Sequence, residues 1–113
     1  MTDHRAAAAD AAALIRDLAG ATGDPFKAYA SPDDVAAVTE SLRDLARHLE
    51  DALEHLALHV ARRRDWAAAD AGEAGQYPRV ASNKIRFAGA QAKNMSRALE
   101  GAVEALGHLR PAP

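Results

Sequence analysis

Residues 31–60 read SPDDVAAVTESLRDLARHLEDALEHLALHV, and this stretch decides the fold. Ser31 is a good N-cap, Pro32 suits the first helical position, and Asp33 and Asp34 oppose the positive end of the helix dipole. Behind that cap, Val35, Val38, Leu42, Leu45, Leu49, Leu53, Leu56 and Val60 recur at steps of three and four. Such spacing puts them all on one side of an α-helix. No Gly or Pro intervenes before Gly72, so a helix over about residues 32–70 is expected, with fraying possible after Arg62, Arg63 and Arg64.

Working outward from there, a second stripe begins past a break. Ile85, Ala88, Ala92, Met95, Leu99, Val103 and Leu106 predict a helix over about residues 82–109, with Ser82 or Asn83 as cap and Pro111 just beyond its end. Gly72, Gly75 and Pro78 mark the break at about 71–81, where proline is expected to push Tyr77 out of helical geometry. Placing Ile85 at heptad position a puts Ala88, Met95 and Ala102 at d, and the small residues Ala88, Gly89, Ala92 and Ser96 would let a partner helix come close. With the turn centred near residue 73, residues on the two helices pair so that His59 faces Arg86 or Phe87.

Upstream, a shorter helix over about 4–19 carries Leu14, Ile15 and Leu18, and Gly20 is expected to stop it. Asp24-Pro25 is suited to start a single turn presenting Phe26 and Tyr29 as a plug at the end of a bundle. The expected fold is therefore all-α: a long antiparallel helical hairpin braced by a shorter N-terminal helix, a three-helix bundle open to completion by dimerisation, in one domain over residues 1–113.

Composition narrows the function. Hydrophobic residues make up 49% of the 113, but thirty are alanine and aromatics reach only 4%. Alanine favours helices and close backbone approach while burying little area, so a thin, elongated core is expected. There is no cysteine, which removes disulfides, thiolate nucleophiles and zinc–sulfur sites. No apolar run approaches the roughly 18 residues of a membrane span, nor does the start carry the apolar core of a signal peptide, and a cytoplasmic location without membrane attachment is the expectation.

Candidate chemistry is sparse. His55 and His59 lie one turn apart, a spacing that can chelate a cation, with His48 on the same side. No metal motif is matched, and acid–histidine pairs such as Asp44 with His48 and Asp51 with His55 explain the pattern. Ser31, Ser41, Ser82 and Ser96 show no nucleophile elbow, and no Gly-rich phosphate loop precedes a helix. An enzyme is not expected, nor is a cofactor.

Charge is uneven along the chain. Residues 1–60 carry five basic and eleven acidic residues, whereas 61–97 carry eight basic and three acidic. Arg62, Arg63, Arg64, Lys84, Arg86, Lys93 and Arg97 could contact a phosphate backbone. Antiparallel pairing, however, would lay Glu50, Asp51 and Glu54 beside Lys93 and Arg97 and cancel part of that charge. Arginine outnumbers lysine eleven to three, and GC-rich codons account for part of that excess.

The leading expectation is a small non-enzymatic interaction or assembly module, acting as a homodimer or by docking on a partner helix. Leu42, Leu45, Leu49, Leu56, Met95, Leu99 and Leu106 would mediate the contact, with Phe87 meeting the first helix or forming a second interface. The alternative is a nucleic-acid-binding accessory protein using the basic segment 61–97.

Overall fold

A computed structural model describes residues 3–63 and 76–111. Three helices account for most of them: α1 over His4–Ala21, α2 over Pro32–Arg62 and α3 over Gln76–Leu106. Helices α2 and α3 pack along each other as a hairpin, as the two stripes require.

The start of α2 follows its local sequence. Ser31 is extended, with φ −154° and ψ 163°, and its side chain accepts a hydrogen bond from the Asp34 N–H at 3.3 Å. Ser31→Ala is expected to cost about 1 kcal/mol, since that N–H would lose its partner. Thermal melting of the variant beside the parent checks this. At the other end α2 stops at Arg62, because Arg63 turns extended at φ −85° and ψ 103°. The continuation expected to residue 70 falls on residues 64–75, which lie outside the described residues.

Helix α3 corrects the break expected at 71–81, since it begins at Gln76 and Pro78 is its third residue. Proline is tolerated in the first turn of a helix because the N–H groups there have no intrahelical acceptor. Ser82, expected as a cap, is instead buried within the helix. The helix ends at Leu106, and the Gly107 N–H donates to the Val103 carbonyl at 3.1 Å.

Helix α1 is capped by Asp3, whose Oδ1 accepts from the Arg5 and Ala6 N–H groups at 3.0 and 3.1 Å. Gly20 does not stop it. No glycine among the described residues has positive φ, and the helix runs to Ala21, where Thr22 donates both its N–H and its hydroxyl to the Leu18 carbonyl. Helix α1 is the third helix of the fold, but none of its residues is buried. Its few large apolar side chains sit within about one turn, too short a patch to cover the hairpin.

Asp24 does open a turn, as its side chain accepts from the Phe26 N–H at 2.8 Å. Phe26 is no plug: it is 90% exposed. Tyr29 is half-buried and, with Pro25, Val35, Leu106 and Leu109, lines a cleft at the open end of the hairpin.

The molecule is long and thin, with extents of 68 × 27 × 25 Å and a radius of gyration of 18.9 Å. A compact chain of this length would have a radius near 13 Å.

Candidate interaction face

The seam between α2 and α3 is built from small side chains. Ala46 and Ala57 are fully buried, Ala92 nearly so, and Ser82, Gly89 and Ser96 are buried beside them. Among the described residues no large side chain is fully buried. A Cβ added at Gly89 would stand 3.6 Å from the Leu53 Cβ and 3.9 Å from the Glu50 carbonyl oxygen, so the backbones run close. The Ser82 hydroxyl donates to the Ala57 carbonyl at 3.1 Å, and the Ser96 hydroxyl donates to the Lys93 carbonyl at the same distance. Both buried hydroxyls are thereby satisfied.

This seam corrects two expectations. Leu53, expected to face position 93, lies against Gly89, so the register is about one turn off. Ser82, whose hydroxyl donates to the Ala57 carbonyl, is offset in the same direction further along the pair. Ala88, expected at a d position, is exposed, and the contact runs instead through Ser82, Gly89 and Ser96, seven residues apart.

With small residues taking the seam, the large ones are displaced to one flank. Advancing 100° per residue from Ala46 and Ala57 places Leu45, Leu49 and Leu56 together on one side of α2. The same construction on α3, starting from Ser82, Gly89 and Ser96, places Met95, Leu99 and Leu106 on the matching side. Because the helices are antiparallel, these two flanks form one continuous face. Leu45, Leu49, Leu56 and Met95 are 36–50% exposed on it, while Leu42, Leu99 and Leu106 lie half-buried along its base. Seven of the residues expected to carry helix-on-helix contact are thus brought together. Phe87 stands apart, 66% exposed on the side of α3 turned away from α2.

Charge divides the hairpin the same way. Arg43, Arg47, Glu50 and Glu54 of α2, and Arg86, Lys93, Arg97 and Glu100 of α3, all lie on the opposite flank. Arg47 Nη2 reaches Glu100 Oε2 at 2.7 Å, with Arg43 beside them at 3.9 Å. Glu50, Asp51, Glu54, Arg86 and Lys93 line one cleft on this side. Among the described charged residues of α2 and α3, Asp34 and Lys84, at opposite ends, border the apolar face. Depletion of charge on a long apolar surface is the composition of an interface centre. That depletion was readable in the sequence, as uncharged positions at three- and four-residue steps flanking the leucine stripe.

The basic residues do not form one patch. Arg86 and Lys93 are interleaved with carboxylates, and Lys84 sits on the edge of the apolar face. Arg62 and Arg63 share the outer side of α2 with His55 and His59. Arg64 lies outside the described residues. No group of three or more potential metal ligands occurs among the described residues, and none of their helices is long and apolar enough to cross a membrane.

Comparison with known proteins finds no match: no family model fits the chain, and no curated protein or solved structure is detectably similar to it.

Proposed function

We propose that this chain is a small, non-enzymatic helical interaction module that works by laying the uncharged face of its α2–α3 hairpin against another helical surface, either a second copy or a partner helix. The observation that carries this reading is the inverted distribution of side chains. Alanine, serine and glycine fill the seam, and leucines and a methionine that would ordinarily form a core stand on the surface. Burying a Leu or Met side chain is worth about 1.5–3 kcal/mol, so four such residues in a row form a strong docking surface. Nucleic-acid binding has weaker support, because the acidic side chains among Arg86 and Lys93 oppose a phosphate backbone.

Leu49→Glu with Leu56→Glu tests the reading. Both residues project from the hairpin, so the helical circular dichroism spectrum and the monomeric fold are expected to survive while association is lost. Collapse of the helical signal would show that the face belongs to an internal core, and the reading would fail.

A further inference from the structure

We infer that the occupant of the uncharged face is a second copy of this chain, laid on the first with its ends reversed, so that two hairpins form an antiparallel four-helix bundle. This rests on the interaction-module reading and names the partner within it.

Three observations converge on that occupant. The first is area. The chain exposes 8793 Å² for a mass of 11.9 kDa. A compact monomer of that mass exposes about 6,000 Å². The excess exceeds what a standard interface removes from one partner, about 800 Å², so covering the hairpin face would account for part of it and leave α1 exposed. The second is length. From Leu42 to Val60 the face runs about 27 Å, whereas Leu14, Ile15 and Leu18 of α1 span only about 6 Å. Helix α1 cannot cover it, and a copy of the same face matches it end to end.

The third is charge, which also sets the orientation. At the open end, residues 32–42 and 101–106 carry Asp33, Asp34, Glu40 and Glu104 and no basic residue. Among the described residues at the other end, 57–63 and 76–84 carry basic side chains, Arg62, Arg79 and Lys84 among them, and no acid. Sequence 57–86 as a whole keeps a positive balance, since six basic residues outweigh Asp65, Asp70 and Glu73. Two copies with like ends together would set positive against positive and negative against negative. Reversing one copy sets each end against its opposite. A closed two-fold dimer requires such a self-complementary patch. Its axis then crosses the middle of the face near Leu49 and Met95, where each residue meets its own counterpart.

The chain lacks cysteine, so one introduced thiol reports this geometry without interference. The experiment measures solution mass by light scattering at low and moderate salt, and oxidation or short bis-maleimide bridging of Leu49→Cys. The expected result is twice 11.9 kDa, covalent dimer from L49C, and a dissociation constant that rises about several-fold with salt as the opposed ends are screened. Salt that tightens the dimer, or bridging only when L49C is mixed with Met95→Cys, would overturn the reversed orientation. A monomer at every concentration would overturn the second copy as occupant. In that event the L49E/L56E variant separates the two ideas: a monomer that keeps its fold leaves the face open for another partner, and one that unfolds removes the interaction reading too.

Discussion

Gly89→Leu is expected to open the hairpin, lowering its stability by about 3 kcal/mol, the upper part of the range for overpacking a tight contact. The reason is geometric. A Cβ at this position has 3.6 Å to the Leu53 Cβ and 3.9 Å to the Glu50 carbonyl oxygen, ordinary contact distances with nothing to spare beyond them. The γ and δ carbons of leucine would have to enter the space held by α2. Neither neighbour can yield cheaply, because one is the root of a half-buried side chain and the other is helix backbone. Separation of the helices would also release Ser82 from the Ala57 carbonyl and expose Ala46, Ala57 and Ala92. Gly89→Ala should do the reverse. Its single methyl fits, and exchanging glycine for alanine inside a helix gains about 0.5–1 kcal/mol. Denaturant melts of the two variants should therefore move in opposite directions from the parent. Equal tolerance of leucine and alanine would mean that the helices do not approach closely at residue 89.

A hundredfold dilution is expected to lower the melting midpoint by roughly 6 °C. Dissociation into two chains makes stability depend on concentration, and a factor of one hundred is worth about 2.7 kcal/mol per dimer. Unfolding entropy near 2.1 cal/mol/K per residue gives about 0.47 kcal/mol/K for two chains of this length, and the ratio sets the shift. Leu49→Glu with Leu56→Glu should abolish the dependence and leave one lower midpoint at every concentration. A parent midpoint that stays put over the same range would mean that the cooperative unit is a single chain, and the apolar face contributes nothing through a second copy.

Several elements were legible because their causes are local. Ser31-Pro32-Asp33-Asp34 carries its own N-cap, first-turn residue and dipole partners, and α2 starts where they say. The two apolar stripes identified both long helices and their antiparallel pairing. Pro78 misled because its effect depends on position: the same ring that breaks a helix interior is harmless in a first turn, and whether a turn precedes it is not written in the neighbouring residues. Phe26 misled for a related reason. A large aromatic in a turn-rich segment suggests a plug, yet no surface of the fold comes near enough to cover it.

The candidate face shows the division most clearly. Sequence named Leu42, Leu45, Leu49, Leu56, Met95, Leu99 and Leu106 as residues for contact with another helix, without separating contact inside the hairpin from contact beyond it. In the structure Ser82, Gly89, Ala92 and Ser96 line the α3 side of the contact inside the hairpin, where small residues allow the backbones to approach and Gly89 leaves space for Leu53 of α2. A hydrophobic stripe is wider than the line along which two helices touch, so periodicity alone does not tell which edge of it is spent on the neighbour and which is left over.

By itself, then, the sequence determined the helical class, the N-cap of α2, the two amphipathic stripes and the unequal charge of the chain's segments, all properties of residues close together along the chain. Tertiary structure alone decided the register of the hairpin, the place of Ser82 and not Ala88 beside Gly89, Ala92 and Ser96 in its seam, and the gathering of Leu45, Leu49, Leu56 and Met95 onto one uncharged face. These depend on which residues of two distant helices lie side by side, as Gly89 does beside Leu53 and Ser82 beside Ala57.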